Sequence, residues 1–200
     1  MHEAIKCTLS AWSNLPVDAI NILMTFLRNL RVHRKPGHAT RGLICAGTRT
    51  IPCALGRSGT GVLKREGDGE TPARRILRPV WGFFRADRTA PPKSVIEFEP
   101  IAAQDGWCDA AHHACYNLPV KLPFDASHEV MMRDDHLYDL GLVLDWNLPP
   151  AGRQRHRGSA IFLHLSKGDY QPTEGCIAVR EPAMRWLLSQ IDTKTKIMVL

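Results

Sequence analysis

The stretch Gly158-Ser-Ala-Ile-Phe-Leu-His-Leu165, followed by Pro172-Thr-Glu-Gly-Cys-Ile-Ala-Val179, contains two short apolar runs separated by a polar loop. Each run has the length and composition of a buried β-strand. His164 lies near the end of the first run, and Cys176 opens the second. We expect the loop from Ser166 to Glu174 to fold the two strands back together, which would bring an imidazole beside a thiol.

A histidine beside a cysteine suits nucleophilic catalysis, because the thiolate is the reactive form and a neighbouring base or imidazolium favours it. Gly175 lets the backbone approach closely, so that its N–H and that of Cys176 can point at a developing oxyanion. The alternative is structural, with His164 as a half-buried histidine and Cys176 as a small core residue. Taken alone, the pair leaves both interpretations open.

Outward from this stretch, short apolar runs alternate with turns rich in glycine and proline, which predicts a mainly β fold of the α+β class. Strands are predicted over residues 42–46, 50–55, 80–84, 94–98, 137–144, 159–165 and 196–200. Residues 181–191 carry apolar side chains at helical spacing and predict a helix. The polar, glycine-containing residues 56–71 predict an exposed loop.

The first 29 residues differ from the rest of the chain. Apolar residues from Leu15 to Leu30 recur at intervals of three and four, which predicts a helix. We therefore divide the chain into an N-terminal helical extension or tail (1–29) and one domain (30–200). Asp18 and Asn21 interrupt the apolar stretch, so it makes no convincing signal peptide.

Composition excludes several classes of protein. No run of 18 apolar residues is present, so no transmembrane segment is expected. Six cysteines in 200 residues are too few for a disulfide scaffold. The net charge of +6 permits an anionic partner, but without a recognisable nucleic-acid module we expect no nucleic acid to bind.

The order of motifs adds a resemblance to a known family. His164 followed by Thr-x-Gly-Cys at 173–176 resembles the active-site signature of the L,D-transpeptidase catalytic domain family (YkuD/ErfK type). Gly67-Asp-Gly-Glu-Thr-Pro72 is similar to the family's upstream Gly-x-Thr-Pro loop. Residues 106–109, 116–117 and 135–139 resemble a bacterial subgroup of it. The likeness covers about residues 30–200.

The resemblance implies a β-sandwich or mixed sheets with one or two packed helices. It implies a cysteine acyltransferase that acts on peptidoglycan stem peptides through an acyl-enzyme on Cys176, without metal or cofactor. His164 would take the thiol proton, with its ring held by the carbonyl of Leu165. Acylation by a carbapenem is expected, as is a location in the periplasm or cell envelope, although without a convincing signal peptide the cytoplasm stays open.

Further site residues are predicted on the same basis. Gly175, Thr173, Glu174 and Leu165 are the oxyanion or supporting residues. Tyr138, His136, Arg157 and Arg180 are the substrate-binding residues. The chain departs from the family at Glu174, where histidine is common, and at Ala178, where arginine is common; Arg180, Arg157 or Arg133 would have to replace that arginine.

Two other functions stay open at this stage. An L,D-carboxypeptidase or amidase would use the same pair of residues with water as the acceptor. A non-catalytic module that binds the cell wall or nucleic acid would keep the fold alone. Separately, Cys108, His112, His113 and Cys115 have residue types that bind zinc, but adjacent histidines rarely face one ion, so a disulfide or an unpaired loop is favoured.

Overall fold

The fold is mainly β, as the sequence predicts. A computed structural model describes residues 26–149 and 152–200. In chain order the described elements are β1 (Asn29–Arg34), β2 (Arg41–Ala46), β3 (Arg49–Ala54), β4 (Thr60–Gly61), β5 (Thr71–Pro72), β6 (Ile76–Leu77), β7 (Pro79–Phe84), β8 (Phe98–Pro100), β9 (Asp105–Cys108), β10 (Pro119–Lys121), β11 (His128–Val130), β12 (Leu140–Leu144), β13 (Phe162–Leu165), β14 (Ile177–Val179), α1 (Glu181–Gln190) and β15 (Lys196–Val199).

One large sheet organises the molecule. Its strand order is β6-β15-β1-β2-β3-β14-β13-β12-β7-β8, and it mixes parallel and antiparallel pairs. β13 and β14 lie near its middle and pair in parallel. A smaller sheet with the order β10-β9-β11 and a two-stranded pair of β4 and β5 accompany it. The apolar runs around the candidate pair therefore form the centre of the sheet.

The large sheet carries a separate apolar cluster on each face, because successive side chains of a strand point to opposite sides. Leu163, Leu165, Ile177 and Val179 belong to the cluster that also contains the buried residues of α1. Phe162 and Cys176 belong to the other cluster, together with aromatic residues from β7, β9 and the segment before β12. This alternation decides which side chains of β13 and β14 can meet.

The helix α1 follows β14 directly. Pro182 stands in its first turn, where a missing N–H is tolerated, and Glu181 places a negative charge at the positive end of the helix dipole. Met184, Leu187 and Leu188 form the buried face against the sheet. The predicted helix over 181–191 is confirmed within one residue. Among the described residues, no helix is long and apolar enough to cross a membrane.

Several predicted strands lie where the sequence places them, and three expectations need correction or comment. Residues 94–97 are not a strand, since β8 begins at Phe98. The loop 56–71 is not fully exposed, because Lys64 and Thr71 are buried. The structure describes the chain from residue 26, so most of the helix predicted within 1–29 lies outside the described residues. Asn29, at the end of that range, is the first residue of β1.

Candidate active site

The parallel pairing of β13 and β14 brings His164 and Cys176 to one face of the sheet. His164 lies opposite Ala178, and Cys176 precedes Ala178 by two residues, so its side chain points to the same side. Leu163 and Ile177, which are paired with each other, face the opposite side. Both His164 and Cys176 line one cavity of about 160 Å³.

The His164 ring is oriented by the main chain. Its Nδ1 lies 2.8 Å from the carbonyl oxygen of Leu165, and because a carbonyl only accepts, Nδ1 carries the proton and donates it. Nε2 is then the basic nitrogen. Burial lowers the pKa of His164 to about 4, so the ring is neutral at pH 7. The ring also makes an edge contact with Tyr138, with 5.5 Å between centroids.

The Cys176 thiol is also neutral at rest. Its Sγ lies 3.1 Å from the Ala160 carbonyl oxygen, to which the thiol donates, and 3.3 Å from the Phe162 N–H, which donates to sulfur. Burial, with a smaller contribution from the negative charge of Glu129, raises the pKa of Cys176 to about 12. The site therefore holds a thiol and an imidazole rather than a thiolate and an imidazolium.

The turn before the cysteine is organised by Thr173. Its hydroxyl donates to the Cys176 carbonyl oxygen at 2.7 Å and accepts from the Gly175 N–H at 3.2 Å. The main chain of Thr173 joins this turn to the end of β3 through a 3.0 Å bond to the Leu55 carbonyl. Of the two amides predicted as oxyanion donors, that of Gly175 is thus occupied. The Cys176 amide donates no hydrogen bond within the described part of the chain.

The segment around Thr71-Pro72 packs against the backbone of this turn. The Thr71 hydroxyl lies 3.4 Å from the Cys176 carbonyl oxygen and accepts from the Gly56 N–H at 2.8 Å. The carbonyl oxygen of Glu70 lies only 2.8 Å from where a Cβ at Gly175 would be. The loop that the sequence predicts as exposed therefore packs against the backbone that carries Cys176.

Comparison with known proteins identifies the family. The family described as the L,D-transpeptidase catalytic domain (YkuD) matches residues 43–199, a span that runs from β2 to β15 and includes the whole site. The chain belongs to this family. No curated protein and no solved structure matches it.

In this L,D-transpeptidase family domain, Glu174 lines the cavity that also contains His164 and Cys176. The Glu174 side chain is 73% exposed and forms an ion pair with Arg57 Nε at 2.7 Å. Its carboxylate therefore neutralises an arginine of the 56–71 loop, and it is not among the charges that shift the pKa of His164.

The four predicted substrate-binding residues do not form one group. Tyr138 lines the cavity with Cys176 and His164. His136 is exposed, with Nε2 3.2 Å from the Ser166 carbonyl oxygen, and is not part of the cavity lining. Arg157 lines a second cavity of about 260 Å³ with Arg75, Arg78 and Trp146.

Arg180 also lies away from the cavity lining. It precedes α1, with its guanidinium 5.1 Å from the Tyr170 ring and 3.9 Å from Asp169. Of the three arginines considered as replacements at Ala178, Arg133 lines the cavity of this L,D-transpeptidase domain, and Arg157 and Arg180 do not.

Sequence reasoning missed Glu129. It lies in β11, a short strand with no alternating pattern that would predict it, and its side chain lines the cavity. Its Oε2 accepts a hydrogen bond from the Tyr138 hydroxyl at 2.5 Å. Desolvation raises the pKa of Glu129 above its ordinary value.

The cysteine and histidine segment before β10 forms no metal centre in the described residues. Cys108 and Cys115 are free thiols. Cys108 Sγ lies 4.0 Å from His113 Nδ1, and that nitrogen accepts from the Cys115 N–H at 3.0 Å. No group of three or more suitable ligands is found in residues 26–149 and 152–200.

Proposed function

We propose that the protein is a peptidoglycan L,D-transpeptidase, a cysteine acyltransferase that uses Cys176 and His164 on stem peptides. The observation that carries the proposal is that these two side chains line one cavity, with the free Nε2 of His164 as the base. The family match supports the same reaction class. Because stem peptides belong to the cell wall, we place the activity in the periplasm or cell envelope.

The first step is acylation. Cys176 Sγ attacks the carbonyl carbon of the peptide, and His164 Nε2 takes the thiol proton as the S–C bond forms. The Cys176 N–H donates to the developing oxyanion. The C–N bond then breaks, and the imidazolium returns the proton to the leaving amine. Because both groups begin neutral, proton transfer accompanies the attack instead of preceding it.

The second step is transfer. An amine of a neighbouring stem peptide attacks the thioester, and His164 takes a proton from that amine. The S–C bond breaks, and the proton returns to the sulfur. The same site would also be acylated by a carbapenem, whose ring opening forms the S–C bond without releasing a separate amine.

Replacement of Cys176 tests the proposal. In Cys176→Ala we expect tetrapeptide cross-linking and D-amino-acid exchange to fall by about a thousandfold or more, because the nucleophile is lost. Intact-protein mass should detect a thioester in the wild type and none in the variant. Cys45→Ala, on β2 outside the cavity, is the matched control and should keep full activity. Unchanged turnover in Cys176→Ala would overturn the assignment.

Assays with and without an added amine separate transfer from hydrolysis. A transferase gives the cross-linked or exchanged product in proportion to the amine. A product that is only the hydrolysed peptide at every amine concentration would contradict the transferase and identify a carboxypeptidase.

A further inference from the structure

The second cavity, of about 260 Å³, lies where the two ends of the large sheet come together. β6 is at one edge of that sheet and β7 is next to the opposite edge, yet only Arg78 separates these strands in the chain. The Arg78 N–H donates to Asp145, which follows β12, at 2.7 Å. The second cavity shares no lining residue with the one that contains Cys176, so the proposed acyl transfer does not account for it.

Four cationic side chains line this second cavity, those of Lys64, Arg75, Arg78 and Arg157. Two of them have acidic partners, since Lys64 forms an ion pair with Asp68, and Arg78 Nη1 lies 3.8 Å from Asp145 Oδ2. Arg75 and Arg157 form no ion pair and donate no side-chain hydrogen bond within residues 26–149 and 152–200. Two positive charges of the cavity are therefore uncompensated in the described part of the chain.

Trp146 brings these two arginines to one wall of the second cavity. The Arg75 guanidinium lies over its ring, 5.8 Å from the centroid, and its indole N–H donates to the Arg157 carbonyl oxygen at 2.8 Å. Trp146 is buried, so it forms a fixed wall between the segments that carry Arg75 and Arg157. Because like charges repel, two guanidiniums at one wall raise the free energy of the protein unless an anion joins them.

A phosphate group with two negative charges matches this arrangement. A phosphomonoester carries a charge of about −1.5 to −2 at pH 7, whereas a carboxylate or a phosphodiester carries one charge and compensates one guanidinium. The planar guanidinium also binds phosphate oxygens through two parallel hydrogen bonds. A phosphate group alone fills only part of a cavity of about 260 Å³, and Val62 and Leu148 add apolar surface to its lining. The cavity therefore has room for part of the organic group that carries the phosphate.

We propose that the second cavity binds a phosphomonoester, with Arg75 and Arg157 as the residues that bind its phosphate. Lys64 and Arg78 keep their acidic partners and add to the positive potential around it. This site is separate from the Cys176 cavity, and its assignment does not depend on the proposed function.

The competing explanation is that Arg75 and Arg157 are ordinary solvated surface charges. Such charges attract every anion weakly, and neighbouring arginines outside the cavity would contribute as much. Arg74 and Arg155 provide this comparison, because both are exposed, both lie within two residues of a proposed phosphate-binding arginine, and neither lines the cavity.

Calorimetric titration with phenyl phosphate, methyl phenyl phosphate, benzoate and inorganic phosphate tests the assignment. In about 0.15 M NaCl we expect one phenyl phosphate to bind per chain, with a Kd at least about tenfold below that of each other probe. Phenyl phosphate should also raise the Tm of the protein, because it binds only the folded chain. Cys176→Ala should bind it like the wild type, so that binding is measured independently of acyl transfer.

Arg75→Gln and Arg157→Gln should each weaken the binding of phenyl phosphate by about 10- to 100-fold, as loss of a charge-assisted hydrogen bond predicts. The matched controls Arg74→Gln and Arg155→Gln should stay within about threefold of wild type, since exposed charges outside the site are screened by salt.

Equal losses in all four variants, the absence of saturable binding, or equal affinity for any of the other three probes would overturn the assignment. Active enzyme that does not bind phenyl phosphate would contradict this site alone. Normal binding by a protein that forms no thioester on Cys176 would contradict only the proposed function.

Discussion

At the scale of single residues, His164 and Cys176 have pKa values displaced in opposite directions by the same cause. Burial disfavours the charged form of each, so it lowers the pKa of the imidazole and raises that of the thiol. In the proposed reaction, proton transfer from Cys176 to His164 would then become favourable only as the sulfur attacks a bound peptide. We therefore expect the reactivity of the pair to depend more on a peptide bound in the cavity than on the bulk pH near neutrality.

The lowered pKa of His164 predicts loss of stability in acid. In the unfolded chain His164 has its ordinary pKa of about 6.5, whereas in the folded chain its pKa is about 4. Above pH 6.5 His164 is neutral in both states and costs no stability. As the pH falls from 6.5 towards 4, protonation of His164 in the unfolded chain lowers the free energy of unfolding by up to about 3 kcal/mol. Urea unfolding of wild type and His164→Gln between pH 4 and 7 measures this.

The variant should show a shallower pH dependence than the wild type over this window. His38→Gln, which removes an exposed histidine, is the matched control and should follow the wild type. Identical slopes for wild type and His164→Gln would contradict the prediction.

The sequence predicts that His164 and Cys176 come together, because both lie on the apolar runs that form the middle of the sheet, and the catalytic role of the pair is a prediction from the family resemblance. It does not predict Glu129, since a glutamate on a three-residue strand carries no periodic signal. Its place beside Cys176 follows from the packing of the small sheet on the large one. Arg157 and Arg180 illustrate the converse, because a basic residue near the motif in sequence need not face the cavity.

At the scale of elements, the turn from Thr173 to Cys176 decides where the sulfur lies. Gly175 has a φ of 131°, which L side chains rarely adopt, and Glu70 approaches it closely. The turn can hold this conformation because the Thr173 hydroxyl accepts from the Gly175 N–H and donates to the Cys176 carbonyl oxygen. Glycine at 175 is therefore required by backbone geometry as well as by space.

Gly175→Ala should lower the free energy of unfolding by about 2–4 kcal/mol and reduce acylation, because strain and a clash with the Glu70 carbonyl add. Gly168→Ala is the matched control. Its φ of 51° is also positive, but a Cβ there meets only Gln171 at 3.7 Å. It should cost about 1–2 kcal/mol and leave acylation intact.

Equal destabilisation by the two substitutions, measured in urea, would show that the contact with Glu70 contributes nothing. Normal acylation by Gly175→Ala would show that the turn does not position the sulfur.

Elements with strong apolar patterns are predicted best. β13 and α1 lie where the sequence places them, although the run that predicts β13 begins three residues early. β9, β10 and β11 have four residues or fewer and mixed polarity, so local pattern could not reveal them. The loop 56–71 looks exposed by composition, yet tertiary contacts bury Thr71 behind Cys176.

At the scale of the whole molecule, the large sheet separates the candidate site from the main core. The helix and the larger cluster lie on one face, and the Cys176 cavity lies on the other. β15 lies between β6 and β1, and the strands β1, β2 and β3 separate it from β14. We therefore expect a substitution in the larger cluster to change the free energy of unfolding without changing the activity of the folded protein.

Ile197→Ala should lower the free energy of unfolding by about 2–5 kcal/mol, because Ile197 is buried in the larger cluster. The folded variant should still acylate normally, since Ile197 is remote from the cavity lining. Met198→Ala, at the next position on β15 and only partly buried, should cost less than half as much. Equal costs in urea unfolding would contradict the assigned faces of this strand.

The hydrogen bond from the Cys176 thiol to Ala160 has a consequence for chemical durability. Oxidants such as peroxide attack thiolates, whereas this sulfur is protonated and buried. We therefore expect Cys176 to keep its thiol in a peroxide-containing solution longer than an exposed cysteine does.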